Sequence, residues 1–215
     1  MTESMVIWGA GTPRSFRPIW LAEELGLQYQ HKPIGPRTGE TQTAEYTNLN
    51  RKQKIPFLQD GEVGFSESVA ICRYLLEKYG PGELYCPTDV VSRAKQDEWV
   101  CYIYGEIDET SLYVMRRHGD LKAIFGDSPQ TVESCKQYAL KHLSVVAEHI
   151  KDHDFLVSGQ FGFADMMLMS CLDWAGFYGL DLPAPLVTYK EKIARRPAYQ
   201  RAYHVNYPQL VEKGA

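Results

Sequence analysis

No run of basic residues longer than Arg116-Arg117 occurs in this chain of 215 residues, whose formal net charge is -4. Because a nucleic-acid surface needs a basic stripe that neutralises phosphates, a nucleic-acid partner is not expected. No apolar stretch approaches the roughly 20 residues that cross a bilayer. The N-terminal segment MTESMVIW also lacks a basic region ahead of a long apolar run. We therefore expect a cytoplasmic protein with no membrane partner.

Residue patterns for metal, disulfide or dinucleotide chemistry are also missing. The five cysteines are widely spaced and form no CxxC, which indicates neither a disulfide framework nor a zinc site. His149 and His153 are four residues apart but have no third ligand in the pattern. The turn Gly9-Ala10-Gly11 lacks the third glycine of a dinucleotide-binding loop, since Arg14 takes its place. We expect no metal ion and no prosthetic group.

The first part of the chain alternates between strand and helix patterns. Residues 5–8 predict a buried strand, residues 15–25 a helix that ends at Gly26, and residues 27–34 a second strand. A short helix is expected over residues 41–49, two strands on either side of Asp60-Gly61, and a helix over residues 69–76. The order β-α-β-α-β-β-α matches a thioredoxin-like domain over residues 1–80.

The remainder of the chain shows only helical patterns, over about residues 89–117, 130–152, 164–178 and 185–204. The segment Gly80-Pro81-Gly82, with Pro87 soon after, is typical of a linker. We therefore predict an α/β domain over residues 1–80, a linker over 81–88 and an all-helical bundle domain over 89–215.

Residues 55–68 predict a binding edge beside a helix N-terminus. Ile55 precedes a proline and is pushed toward extended geometry, so its backbone N–H and C=O are free to pair with an extended ligand. Glu67 and Ser68 open an apolar helix, where unpaired N–H groups and a hydroxyl favour a small anion. One end of this segment suits a peptide backbone and the other suits a charged group.

These residues give the chain a specific resemblance. The βαβαββα order, Ile55-Pro56 and the Glu67-Ser68 pair, followed by a helical half, resemble a cytosolic glutathione transferase of the bacterial type. The segment GQFGFADMMLMSCLDWA resembles the capped buried helix of that family, with Gly162 at the cap position and Asp165 three residues later. The resemblance implies glutathione as co-substrate, a cis bond at Pro56, the cysteinyl part of glutathione on Ile55, and its γ-glutamyl end on Glu67 and Ser68.

The resemblance also places the activating group in the segment GAGTPRSFR. Thr12 lies fourteen residues before Gly26, where many family members have their active Ser, Thr or Cys, and Ser15 resembles the serine of ether-cleaving members. Both stand at the entrance of the first helix, where an anion is favoured. Since this turn contains no cysteine and the early tyrosine position holds Trp8 or Gly9, a hydroxyl mechanism is expected. Thr12 and Ser15 remain alternatives.

Further contacts follow from the same resemblance. Gln53 and Lys54 can bind the glycine carboxylate of glutathione, and Arg14 can contact the ligand. The first long helix of the second half is expected to line the pocket for the second substrate. Its aromatic and polar candidates are Tyr102, Tyr104, Glu106 and Arg116.

The predicted activity is attack of the activated glutathione thiol on an electrophilic or ether carbon. The resemblance also implies a homodimer. Two alternatives stay open. One is glutathione-dependent reduction of a peroxide or a disulfide. The other is a non-catalytic binding or regulatory protein on the same fold.

Overall fold

The structure is a computed structural model that describes residues 5–211. The chain forms two compact units. The first contains the described residues up to Glu83 and those from Ala194 onward, and the second runs from Leu84 to Ile193. The predicted helical domain over 89–215 therefore contains a C-terminal segment that the structure groups with the first unit.

A four-stranded mixed sheet organises the first unit. Its strands are β1 (Met5–Trp8), β2 (Tyr29–Lys32), β3 (Phe57–Asp60) and β4 (Val63–Ser66), in the spatial order β2-β1-β3-β4. Strand β1 is parallel to β2 and antiparallel to β3, which is antiparallel to β4. This arrangement is the thioredoxin-like α/β domain that the element order predicted.

Helices connect and flank these strands. They are α1 (Pro13–Glu24), a 3₁₀ turn (Glu40–Gln42), α2 (Ala44–Leu49), α3 (Ser68–Tyr79), α10 (Pro197–Asn206) and α11 (Pro208–Val211). Thr12 is the N-cap of α1, and Pro13 at the first helical position needs no N–H partner. Helix α1 packs on both α3 and α10, and its Ile19, Trp20 and Leu21 are fully buried. The core of this unit therefore lies along α1.

The second unit is helical throughout its described regular elements. These are α4 (Val90–Tyr102), a π-helical stretch (Ile103–Tyr113), α5 (Val114–His118), α6 (Lys122–Phe125), α7 (Pro129–Lys151), α8 (Phe163–Phe177) and α9 (Ala184–Ala194). Helix α8 is buried on all sides from Phe163 to Ala175, as expected for a helix with apolar residues around its whole circumference. The helical second half is confirmed.

The N-terminus of α8 shows why a glycine occupies its cap. Gly162 donates its N–H to Asp165 Oδ2 at 2.8 Å, which confirms the one-sided cap expected from the sequence. A Cβ atom at Gly162 would lie 3.0 Å from the Tyr85 carbonyl oxygen. The close approach of residue 85 therefore leaves no room for the usual serine or threonine.

Two helical predictions differ from the structure in detail. The helix expected over 185–204 is two helices, α9 and α10, because Pro197 cannot donate an N–H to a continuous helix. The helix expected over 89–117 contains the π-helical stretch, whose wider i→i+5 pairing the apolar spacing did not predict.

Candidate active site

The turn between β1 and α1 holds both candidate hydroxyls in one capping arrangement. Thr12 Oγ1 accepts the Ser15 N–H at 3.0 Å, and Ser15 Oγ accepts the Thr12 N–H at 3.2 Å. The two hydroxyl oxygens are 2.8 Å apart. Thr12 keeps 6% of its surface exposed, whereas Ser15 has 0%. Of the two residues, Thr12 is the one with some exposed surface, at the positive end of a helix.

The C-terminal helix α10 supplies a third member of this arrangement. Asn206 is fully buried. Its Nδ2 donates to the Thr12 carbonyl oxygen at 3.0 Å, its Oδ1 accepts from Ser15 Oγ at 2.9 Å, and its own carbonyl oxygen accepts the Gly11 N–H at 2.8 Å. The turn is thereby held from residue 11 to residue 15.

The predicted binding edge begins at the end of β3. The Ile55–Pro56 peptide bond is cis, as the resemblance implied. Between residues that the structure describes, the Ile55 main-chain N–H and C=O form no hydrogen bond. Gly9 has φ of 117°, and a Cβ there would lie 2.7 Å from Ile55 Cβ. The absence of a side chain at residue 9 therefore lets the end of β1 approach this edge.

The residues ahead of the cis proline are held by α2. The Lys54 carbonyl oxygen accepts the Tyr46 hydroxyl at 2.6 Å and Asn50 Nδ2 at 2.8 Å. Gln53 has φ of 53°, and its side chain donates to Thr47 Oγ1 at 3.1 Å. Lys54 is exposed at the surface. The amide of Gln53 is thus engaged within the fold, and Lys54 is the more accessible of the two.

At the N-terminus of α3, Ser68 is buried and Glu67 is exposed. Glu67 adopts φ of 83°, an uncommon conformation for a residue with a side chain. Lys52 Nζ lies 3.1 Å from Glu67 Oε1, an ion pair with both side chains mostly in solvent. Arg17, which is fully buried on α1, donates from Nη1 to Ser68 Oγ at 3.3 Å. Since arginine can only donate, this contact leaves the Ser68 proton for another acceptor.

In the second unit, two of the four pocket candidates meet around one histidine. Tyr102 Oη lies 2.7 Å from His142 Nδ1, and Tyr138 donates its hydroxyl to Glu106 Oε2 at 2.5 Å. Glu106 Oε2 is 4.0 Å from His142 Nε2. Burial, and then the Glu106 charge, raise the pKa of Tyr102. These four residues form a polar cluster on α4, the π-helical stretch and α7.

The other two candidates, Tyr104 and Arg116, are half-buried and are not members of that cluster. Arg116 lies close enough to Tyr178 for its charge to lower the pKa of that phenol, although burial dominates and raises it. Arg14 is half-buried in the first turn of α1.

Cys72 and the arrangement of potential metal ligands bear on the expectations from the sequence about thiol and metal chemistry. Burial raises the pKa of Cys72 to about 12, which keeps this thiol protonated and unreactive. No group of three or more histidine, cysteine or acidic side chains within residues 5–211 could hold a metal ion. None of the helices described there is both long enough and apolar enough to cross a membrane.

Three residues near the site were missed by sequence reasoning. No local sequence pattern distinguishes Arg17, which is buried, or Lys52, which is paired with Glu67, from a cation that is exposed to solvent. Asn206 lies 191 residues from Ser15 in the chain, so no spacing rule connects them.

Comparison with known proteins agrees with this architecture of a thioredoxin-like domain followed by a helical domain. A model of the glutathione S-transferase N-terminal domain matches residues 3–77, and a model of the C-terminal domain of the same family matches residues 96–197. The chain belongs to the glutathione S-transferase family.

The individual relatives described next share between 16% and 29% of aligned residues with this chain. Glutathione S-transferase GstA of Escherichia coli O157:H7 is 29% identical over 163 residues, which cover 74% of this chain and 76% of that protein. The structure of glutathione transferase URE2P6 from Phanerochaete chrysosporium, in complex with oxidized glutathione, superimposes with a TM-score of 0.84 at 20% identity over 95% of this chain and 97% of that chain. Beta-etherase LigF from Sphingobium sp. strain SYK-6 superimposes with a TM-score of 0.84 at 16% identity over 94% of this chain and 99% of that chain.

Proposed function

We propose that this chain is a glutathione transferase, with glutathione as co-substrate, whose Thr12 hydroxyl stabilises the glutathione thiolate. The observation that carries the proposal is the geometry of the α1 cap. Thr12 retains 6% of its surface exposed at a helix N-terminus, while Ser15 is completely buried and donates toward Asn206. Ser15 then orients the turn and Thr12 contacts the sulfur.

The rest of the first unit supports binding of the tripeptide. The free Ile55 main chain suits antiparallel pairing with the cysteinyl residue. Ser68, with its oxygen facing Arg17, has its proton available for the γ-glutamyl carboxylate, and Glu67 suits the amino group. Lys54 is exposed and suits the glycine carboxylate, with Gln53 and Arg14 as further polar neighbours.

The energy required is modest. A free thiol has a pKa of about 8.5, and lowering it by two units requires about 2.7 kcal/mol of preferential stabilisation of the thiolate. A hydrogen bond to a charged group contributes about 1.5–3 kcal/mol, and a helix N-terminus adds about 0.3–1 kcal/mol. One hydroxyl at the start of α1 is therefore sufficient. The thiol proton passes to solvent, and the thiolate attacks an electrophilic or ether carbon and displaces its leaving group.

For the second substrate we propose contacts with the helical unit. Tyr102 and Glu106 belong to the cluster around His142, and Tyr104 and Arg116 are half-buried polar candidates beside it in sequence. Each is a candidate for orienting the electrophile or for stabilising its leaving group.

Three variants test the role of Thr12. Thr12→Ala should lower kcat/KM with chlorodinitrobenzene at about pH 7 by about 3- to 25-fold, because a rise of one to two units from a bound thiol pKa of about 6.5 reduces the thiolate fraction by that factor. Thr12→Ser keeps a hydroxyl and should retain most activity. Ser15→Ala should lower thermal stability more than it lowers activity, because it loses a buried cap contact. Full activity in Thr12→Ala would rule out this mechanism.

Assays of the wild-type protein and of these variants also distinguish the alternative functions. Calorimetric titration with glutathione distinguishes a transferase from a non-catalytic binding or regulatory protein that has no need of the tripeptide. Assays with a hydroperoxide and with a glutathione-mixed disulfide distinguish conjugation from reduction. A disulfide reductase activity that survives Thr12→Ala would favour the reduction alternative.

We further propose that the protein is a cytoplasmic homodimer. The second unit exposes Val90, Val91 and Val145, with Val91 64% exposed. A cavity of about 480 Å³ lies beside Val145 and is also lined by Trp99, Tyr102 and His149. A second copy of the chain would cover this apolar surface. Sedimentation should show a dimer that Val91→Lys weakens, and a monomer at all concentrations would contradict the proposal.

A further inference from the structure

Asn206 contacts the activating turn through three separate atoms. Its side-chain nitrogen and oxygen face the Thr12 carbonyl and the Ser15 hydroxyl, at 3.0 and 2.9 Å, and its main-chain oxygen faces the Gly11 N–H at 2.8 Å. The Thr12 carbonyl can only accept, so the amide nitrogen must be the atom that faces it. The amide oxygen therefore faces Ser15, and only one of the two possible orientations of the Asn206 amide satisfies both contacts.

This orientation decides where the Ser15 proton lies. Ser15 Oγ lies 3.0 Å from the Thr12 carbonyl oxygen and 2.9 Å from Asn206 Oδ1, so both are within reach of its proton. The Thr12 carbonyl oxygen already receives two other donors, Asn206 Nδ2 at 3.0 Å and the Phe16 N–H at 3.0 Å. Because a carbonyl oxygen has two lone pairs, the single Ser15 hydroxyl proton is directed to Asn206 Oδ1. Ser15 then cannot donate to Thr12 Oγ1, which lies 2.8 Å away. Thr12 is consequently the donor in that pair.

We infer that Asn206 is a positioning residue that presents the Thr12 hydroxyl proton to the glutathione sulfur. The inference rests on the proposed function. Without ligand, the Thr12 proton faces Ser15 Oγ, a neutral acceptor that also receives the Thr12 N–H. A thiolate is a stronger acceptor because it is charged, and it takes over this proton by rotation of the hydroxyl. No covalent bond of Thr12 changes, and the thiol proton leaves to solvent.

The packing of α10 keeps Asn206 in place. Phe16, which follows Ser15, contacts three tyrosines of the C-terminal segment, with ring centroids 5.5 Å from Tyr199, 6.2 Å from Tyr203 and 5.8 Å from Tyr207. Aromatic contacts of this kind hold both helices in one register. Donors that are fixed before the ligand arrives need no reorganisation during the reaction.

The test measures the pKa of glutathione bound to the enzyme, from the ultraviolet absorbance of the thiolate and from the pH profile of kcat/KM. Asn206→Ala should raise this pKa by about one unit, from about 6.5 to about 7.5, so that about threefold less thiolate is present at about pH 7. The dissociation constant of glutathione at acidic pH should change less than about twofold, since the tripeptide is held elsewhere. A purely structural role would change stability without moving the bound pKa.

Further variants make the test decisive. If Asn206→Ala fails to fold, Asn206→Leu keeps the approximate size but removes the acceptor for Ser15 without adding a charge, and it should also raise the thiol pKa. Gln200→Ala on the exposed face of α10, where Gln200 only contacts the Ala194 carbonyl oxygen, is the matched control and should leave the pKa unchanged. In a Thr12→Ala background, Asn206→Ala should have no further effect.

Two outcomes would overturn the inference. If Thr12→Ala raises the bound thiol pKa but neither Asn206 variant does, Asn206 has no positioning role while the proposed function stands. If Thr12→Ala itself leaves the thiol pKa unchanged, the proposed function fails and the role of Asn206 fails with it.

Discussion

Replacing Asp165 with asparagine should change how the stability of this protein depends on pH. Asp165 lies in the first turn of α8 and is almost fully buried. Its carboxylate accepts the Leu156 N–H at 2.9 Å, the Gly162 N–H at 2.8 Å and the Tyr189 hydroxyl at 2.6 Å. Burial raises the pKa of this carboxyl from 3.8 to about 6, although the three hydrogen bonds oppose the rise.

The sign of the effect follows from this raised pKa. The folded state holds the Asp165 proton more tightly than the unfolded chain, so the stabilisation is fully present below pH 3.8 and is lost as the pH rises through about 6. A difference of about two units corresponds to about 3 kcal/mol in total. Of this, about 1 kcal/mol should be lost between about pH 5 and about pH 7.

Urea unfolding of the wild-type protein and of Asp165→Asn across this pH range gives the measurement. The asparagine variant should be less stable at every pH, because its amino group faces an N–H donor, at a cost of about 1–3 kcal/mol. The stability advantage of the wild type should shrink as the pH rises, since only the wild type titrates at this position.

A constant difference between the two proteins across the range, or one that grows with pH, would refute the reasoning. Asp60→Asn is the control of opposite sign. Burial raises the pKa of Asp60, but hydrogen bonds from Lys78, Tyr79 and Tyr74 outweigh it and lower the pKa. Its stabilisation is therefore present above the unfolded pKa of 3.8 and lost as the pH falls below it, so Asp60→Asn should show no pH-dependent difference from wild type between about pH 5 and about pH 7 and a shrinking one at lower pH.

Three shorter predictions concern the glutathione site. Gly9→Ala should weaken glutathione binding at least tenfold by calorimetry, because the new Cβ would lie 2.7 Å from Ile55 Cβ at a φ of 117°. Arg17→Met should weaken it by a similar factor, since Ser68 loses its 3.3 Å donor; unchanged binding would show that Ser68 needs no such partner. Lys52→Ala should change binding less than about threefold, because exposed ion pairs contribute about 0–1 kcal/mol, and a larger loss would indicate direct ligand contact.

The elements of the first unit were predictable because each depends on neighbouring residues. The apolar run at residues 5–8 and the Asp60-Gly61 turn act within a few positions, and the structure has β1 and the β3–β4 hairpin there. The cis bond at Pro56, which the structure also has, was implied by the family resemblance. The domain boundary near residues 80–89 remains a prediction. Pro197 is a visible break in the last helix, and giving it due weight would have divided residues 185–204 correctly.

The candidate site was predictable only in part. Thr12, Ser15, Ile55, Glu67 and Ser68 come from local patterns and from the family resemblance. The residues that surround them come from distant parts of the chain or from faces that spacing does not distinguish. The spacing of Tyr102 and Glu106 placed them on one helix, but their common partner His142 is 40 residues beyond Tyr102.

The sequence by itself determined the family, the order of the elements and the short segment that suits a tripeptide, because turn chemistry, caps and apolar periodicity act over a few residues. Tertiary structure alone decided that Ser15 is fully buried, that Arg17 donates to Ser68 and that Asn206 forms hydrogen bonds with the turn of residues 11–15. Those facts depend on which side chains meet after α1, α3 and α10 pack together. The burial of a side chain and the choice of acceptor for a hydroxyl proton depend on that packing, and no local sequence pattern predicts them.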